Sequence, residues 1–319
     1  MAKSMKFPFS IQAGREFDVV GFGTNAVDFL IRVPEYPSFN SKIELTDYIQ
    51  AAGGEIATSM VGLQRLGLKT CYVGRFGDDA AGDFGIQSLK DEGVNVTYAD
   101  QIKGASTQIA FIIIDVRNGE RTVIWKRDPK LAYSPIGIPL DLMARTGVVH
   151  LTPHDTRASI ELAKAARQNE TVTSIDLDNT FDGVEELLPL MDIIITSADL
   201  PGRMFGIEDK RTALTTLQEK YGSPVVGITL GEEGSLIRCN GEFVETAGFE
   251  VPGGCKDTTG AGDSFRAGLL YGLVKGESLE NSARMANAVA ALKCRAIGAR
   301  TSLPTPIELK TLLKTDRHC

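Results

Sequence analysis

Cysteine is scarce in this sequence and irregularly placed. Cys71, Cys239, Cys255, Cys294 and Cys319 are odd in number and show neither C-x-x-C nor zinc-ligand spacing. That pattern excludes a disulfide framework and reads as reduced thiols in a cytosolic protein. Histidine is scarcer still: His150, His154 and His318 are expected to be structural or surface residues rather than ligands. No segment approaches the roughly 20 consecutive apolar residues needed to span a bilayer. Met1 to Glu16 carries two lysines and an arginine but lacks the apolar stretch of a secretion signal. Excess positive charge is also missing. With 34 basic against 41 acidic residues the formal net charge is −7, and no dense Lys/Arg block offsets it. Nucleic acid and membrane partners are therefore not expected, and a cytoplasmic location is.

What the chain does contain is ordinary globular material. Its 319 residues are 43% hydrophobic and 24% charged, enough for a large core in one α/β domain or two smaller ones. Short β-branched runs alternate with amphipathic segments, the pattern of an α/β fold with a largely parallel sheet. Strands are predicted at Phe17 to Gly21, Thr70 to Gly74, Val148 to Leu151, Thr173 to Leu177, Ile193 to Thr196 and Val225 to Thr229. Residues 54–66 read as a helix with Ile56, Met60 and Leu63 on one face and Gly67 after its end. Two stretches break the alternation, 27–49 and 107–126, the second folding about Arg117-Asn118-Gly119-Glu120. Both read as β-ribbons that project as a small lid over the strand ends, where open parallel sheets bind ligands. No repeat or linker divides the chain, so residues 1–319 are expected to form a single domain with this lid attached.

The most chemically specific segment is Asp257-Thr258-Thr259-Gly260-Ala261-Gly262-Asp263, followed by Ser264-Phe265-Arg266-Ala267-Gly268-Leu269-Leu270. Phe265, Leu269 and Leu273 recur on one helical face, and Lys275-Gly276 supplies a stop. The glycines thus sit at a helix N-terminus, where unpaired N–H groups of Gly260, Ala261 and Gly262 and the helix dipole favour an anion. Asp263, in the first turn, is placed to take a proton from an attacking hydroxyl. Gly-Ala-Gly-Asp alone would also serve as an ordinary helix cap, with the aspartate complementing the dipole. The flanking threonines, Asp257 and the small-residue helix make the longer stretch far more specific than that.

At these residues the chain resembles the ribokinase-like, or PfkB, family of carbohydrate kinases, whose C-terminal signature reads D-T-x-G-A-G-D. The resemblance covers nearly the whole chain. Gly53-Gly54 opening a helix looks like the family's N-terminal diglycine, and Gly74-x-x-Gly77-x-Asp79-x-x-Gly82 with Leu89 and Gly93-Val94 looks like its next block. Asp28 matches the sugar-binding aspartate, and Thr229-x-Gly231-x-x-Gly234 the nucleotide-site turn. Asn118-Gly119-Glu120-Arg121-Thr122 and Ser197-x-Asp199 look nearest the ketohexokinase-like branch. The resemblance implies an α/β ribokinase-like fold, ATP and Mg²⁺, and transfer of the γ-phosphoryl group to a hydroxyl of a small ketohexose- or ribose-like sugar. It makes Asp263 the base, Gly260 to Gly262 the anion hole, and Ser197 a nucleotide-site residue. Asp257, Thr259, Gly298 and Ser302 fall where related kinases hold a monovalent cation, often potassium. The chain departs from the pattern twice. Glu55 and Thr58 stand where a pair of asparagines is expected, and Thr196-Ser197-Ala198-Asp199 shortens the magnesium-linked N-x-x-E motif.

Sharing one helix face at i and i+3, Glu55 and Thr58 are both expected to face the sugar, with a Glu55 carboxylate repelling a phosphorylated substrate. Arg121 either reaches from the lid to substrate or is a plain exposed ribbon charge. Asp176 and Asp178 alternate at a strand end, one expected towards solvent and the other, Asp178, towards the cleft. Asp78, Asp79 and Asp83 suggest a metal cluster less than a capped helix. Gly21-x-Gly23-x-x-Ala26 resembles a dinucleotide fingerprint, but Val27 to Val33 is β-branched and Pro34 and Pro37 follow, so no helix can open there. Other readings are a nucleoside kinase of the same family, or a sugar-sensing protein that has lost catalysis. Keeping an anion cradle together with Asp263 favours the enzyme. Open lid edges leave room for a homodimer.

Overall fold

Strands covered on both faces are largely apolar, and the predicted runs follow that rule except Thr173 to Leu177, where Thr173, Ser174 and Asp176 are buried polar residues. The structure, a computed structural model, describes residues 5–117 and 121–315; Asn118, Gly119 and Glu120 of the expected turn lie outside them. The chain opens with β1 (Phe17–Phe22), β2 (Ala26–Val33), β3 (Asp47–Gly53), α1 (Glu55–Arg65), β4 (Thr70–Gly77), α2 (Ala80–Asp91) and β5 (Asn95–Ile102). Then come β6 (Ile109–Asp115), β7 (Arg121–Lys126), β8 (Thr146–Leu151), α3 (Thr156–Gln168), β9 (Val172–Leu177), α4 (Val184–Leu187), β10 (Ile193–Ser197) and α5 (Leu200–Phe205). The remainder is α6 (Lys210–Tyr221), β11 (Val225–Thr229), β12 (Ser235–Cys239), β13 (Glu242–Thr246), α7 (Ala261–Val274), α8 (Leu279–Lys293) and α9 (Pro306–Thr315).

Nine strands form one sheet in the order β13-β12-β11-β10-β9-β8-β1-β4-β5, parallel from β5 to β11 and closed by the antiparallel β12–β13 hairpin. Alternation along each strand sends side chains to opposite helical layers. Val20, Val149 and Ile194 pack towards α3 and α6, while Val19, Val148, Ile193 and Ile195 pack towards α1, α7 and α8. Helix α1 buries Ile56, Met60 and Leu63 completely, and Gly67 takes φ +88° just beyond it. Asp79 caps α2 by accepting from the Gly82 amide at 2.8 Å, which explains the acidic group there without a metal. After β1 the chain enters β2 instead of a helix, so the dinucleotide reading fails on geometry.

The two predicted ribbons build one four-stranded sheet, β3-β2-β6-β7, in which β2 and β6 run parallel at the centre. Strand β3 continues past the expected end at Ile49 to Gly53, which delivers the diglycine directly to α1. The inner face carries Leu30, Ala110, Ile112 and Ile114 over Ala51 and Ile297. Phe29 stacks on Phe111 and Tyr48 on the other face. Among the described residues no helix is long and apolar enough to cross a membrane.

Candidate active site

A cavity of about 340 Å³ opens between the small sheet, the loops after β1, β8 and β9, and the N-terminus of α7. Its floor is set by Gly260, the N-cap of α7, which holds φ +79° and has room for no side chain, since a Cβ would fall 2.9 Å from that of Ala299. Asp263 follows in the first turn and faces the cavity. Ser59 of α1 donates to the Asp263 carbonyl at 3.1 Å, which fixes α7 against α1. Burial pushes the Asp263 carboxyl up to about 7; Arg266 and Arg121 pull it down, and Asp178 and Asp28 push it further up. A carboxyl held near neutrality is suited to general-base work. Of the three amides expected in the anion hole, that of Ala261 is already engaged by the Thr258 carbonyl at 3.1 Å. The tight turn that aims Gly260 into the cavity consumes it.

Asp28 enters from β2. It is buried, its carboxyl pushed up to about 6 by that burial against the opposing pull of Arg300. Gly53 is required beside it, because a Cβ there would lie 2.0 Å from Asp28 Oδ2. Glu55 also lines the cavity, accepting from Thr24 Oγ1 at 3.1 Å. Burial and the nearby Asp263 push its carboxyl up to about 8. The expected carboxylate is therefore protonated at neutral pH, and its expected repulsion of a phosphorylated substrate is lost.

Thr58 does not face the cavity. It is fully buried, receiving Arg300 Nε at 3.4 Å. The i and i+3 positions diverge by about 60° around a helix, and at the first turn that angle separates cleft from core. Arg300, which the sequence reading passed over, also donates to the Gly53 carbonyl and to Ser88 Oγ, tying the diglycine in place.

Asp176 and Asp178 do not part ways either. Residues two apart at a strand end share a face, and both line the cavity and pair with Arg266, at 2.6 and 2.9 Å. Arg266 is buried; burial raises the Asp176 carboxyl well above its ordinary value despite that arginine. Arg121 reaches from β7 and donates to Thr258 Oγ1, so it is more than an exposed ribbon charge. His154, expected to be structural or on the surface, lines the cavity 3.6 Å from Glu55 and packs between Trp125 and Phe181. Burial pulls it down to about 4, so it is neutral. His150 is buried beside Ser174.

Ser197 and Thr229 end adjacent strands in register, with Gly231 (φ +62°) and Gly234 (φ +105°) in the turn beyond. They lie outside this cavity. Asp199 accepts from Ser197 Oγ at 3.1 Å and pairs with Arg203 at 2.8 Å, so the shortened acidic motif is already engaged. Asp257 is buried behind the loop, its two oxygens accepting from the Thr259 and Gly298 amides at 2.8 Å each. Ser302 donates to the Lys293 carbonyl.

Comparison with known proteins identifies the family and the fold. The description "pfkB family carbohydrate kinase" matches residues 17–306. An uncharacterized sugar kinase of Archaeoglobus fulgidus is 33% identical over 259 residues, covering 78% of this chain and all of that one. A fructokinase of Solanum tuberosum is 28% identical over 317 residues, 93% of this chain and 95% of its own. Among solved structures, Arabidopsis thaliana ribokinase complexed with ribose and ATP superposes with a TM-score of 0.82 at 25% identity, covering 93% of this chain and 99% of that one.

Proposed function

Since the chain belongs to the pfkB family of carbohydrate kinases and is a phosphotransferase, we propose that it moves the γ-phosphoryl group of ATP onto a hydroxyl of a small ketohexose- or ribose-like sugar. The observation that carries this reading is Asp263 at the open N-terminus of α7, facing a cavity rich in carboxyl groups, with burial holding it near neutrality. In this reading Asp28 and Glu55 take hydroxyl groups of the acceptor, one as a strong acceptor and the other, protonated, as a donor. Asp263 receives the proton of the attacking hydroxyl as its oxygen bonds to the γ-phosphorus and the bond from that phosphorus to the bridging oxygen breaks, releasing ADP. The amides at Gly260 and Gly262, and Arg121 above them, hold the charge that spreads over the transferred group.

The adenine nucleotide lies across the ends of β10 and β11, at Ser197, Thr229, Gly231 and Gly234. Mg²⁺ neutralises its phosphates when bound. Among the described residues no cluster of three acidic, histidine or cysteine side chains is assembled to hold a metal, so the nucleotide's own phosphates would supply most of the ion's ligands. The small sheet acts as a lid that excludes water from the transfer.

Trp125, His154 and Phe181 favour one second reading, in which the acceptor is a nucleoside whose base packs on these rings. A coupled assay of ADP release over ketohexoses, ribose, sugar phosphates and nucleosides decides between them. The sugar reading expects the highest kcat/KM with a free sugar; a nucleoside preferred by about tenfold or more would replace it.

A further inference from the structure

Lysine is a poor choice for a protein interior unless its charge is matched, yet Lys293, the last residue of α8, is completely buried. Its ammonium donates to the Asp257 carbonyl at 2.7 Å and lies 3.7 Å from Asp257 Oδ2. The four residues that the family resemblance assigns to a monovalent cation converge here. Asp257 receives the ammonium, and its carboxylate is fixed by the Thr259 and Gly298 amides. Ser302 Oγ donates to the carbonyl of Lys293 itself. The arrangement does not fit a potassium ion. Such an ion needs several free oxygens, whereas the Asp257 carbonyl and both its carboxylate oxygens already accept hydrogen bonds. Of the side-chain oxygens in these four residues, only the Ser302 hydroxyl, itself donating, and the buried Thr259 hydroxyl keep both lone pairs free. A second positive charge would also meet the ammonium at close range.

We propose that the Lys293 ammonium is the built-in monovalent cation of this kinase, and that its activity needs no added potassium. The proposal rests on the kinase reading above. Lys293 is a positioning residue: it touches neither substrate nor cavity, but holds Asp257, whose carboxylate in turn fixes the amide of Thr259 next to Gly260. The charge that other chains would take from solution is here tethered to α8, so the loop leading into α7 is set whatever the salt.

The test has three arms. The kinase rate of the wild type is compared in KCl and in tetramethylammonium chloride at equal ionic strength; the expected rates agree within about twofold, and activation by potassium of about tenfold or more overturns the proposal. The melting temperature of the wild type is compared in KCl and NaCl; no potassium-specific rise is expected, and a saturable one overturns the proposal. Finally, Lys293→Ala is expected to lose turnover by about tenfold or more in tetramethylammonium and to regain much of it with potassium or ammonium. Unchanged turnover of Lys293→Ala without either ion overturns it. If that variant does not fold, the two wild-type arms still decide. If no acceptor is phosphorylated at all, the kinase reading fails while the melting arm continues to test the lysine.

Discussion

Asp28, Glu55 and Asp263 all hold their protons beyond the usual carboxylate range, and burial is the first cause for each. For Asp263 the consequence is catalytic. The base must be ionised and Glu55 must keep its proton, so kcat/KM should rise as pH increases through about 7 and fall again as pH passes about 8. Asp263→Asn keeps the size and the polar contacts of the helix turn but cannot accept the proton. Its kcat should fall by about 10²- to 10⁴-fold with ATP binding retained. Near-normal turnover with the true acceptor and Mg²⁺ would falsify the assignment.

For Glu55 the consequence is also one of stability. Its carboxyl is pushed up to about 8 from an ordinary value of 4.5, so the folded state binds its proton more tightly than the unfolded chain does. Stability from this group is complete below pH 4.5 and is lost as pH rises through about 8. Glu55→Gln removes the titration. Relative to wild type, its melting temperature in the empty enzyme should gain at pH 8 and show no such gain at pH 4.5. A constant difference across that range would place the raised value elsewhere. The same substitution should alter the relative kcat/KM among sugars, because an amide cannot lose its proton to suit a different hydroxyl pattern.

At the scale of elements, the helices and strands nearest the chemistry were the most legible. The anion loop, Asp263 and the start of α7 are contiguous, so a local pattern specifies them; Gly53, Gly54 and α1 are the same kind of object. Arg266, Arg300, Lys293 and His154 were not legible. Each is a polar residue whose neighbours in sequence say nothing of a partner that lies far along the chain, 247 positions away for Arg300 with Gly53 and 36 for Lys293 with Asp257. A charged residue within an apolar helix, such as Arg266, reads as a solvent position until packing shows two aspartates against it. Thr58 erred for the converse reason, since spacing along a helix gives an angle but not where the core ends.

The β3–α1 junction makes the strongest claim of this kind. Gly53→Ala forces a methyl group against Asp28, so Asp28 must turn away from the cavity. The acceptor's kcat/KM should fall by about 10- to 100-fold, while the KM for ATP stays within about twofold. Equal losses for both substrates would show general collapse instead.

On the scale of the molecule, the cavity gathers residues from Thr24 to Ala299, so almost the whole length of the chain takes part in it. The alternation of strands and helices was readable because each βα unit repeats one local pattern. The antiparallel β12–β13 hairpin, and the pairing of β2 with β6 in one small sheet, were less so, because pairing partners are chosen by the tertiary fold. The position of β1 has a consequence for how the protein is made. It is the first strand of the sheet to be synthesised, yet it lies inside the sheet between β4 and β8, third from the β5 edge. While residues 17–22 leave the ribosome, the strand that flanks them at 146–151 does not yet exist, so one side of β1 stays unpaired through a large part of translation. Until β8 has emerged, the nascent chain therefore carries an unpaired apolar strand edge, the kind of surface that invites mispairing with other chains.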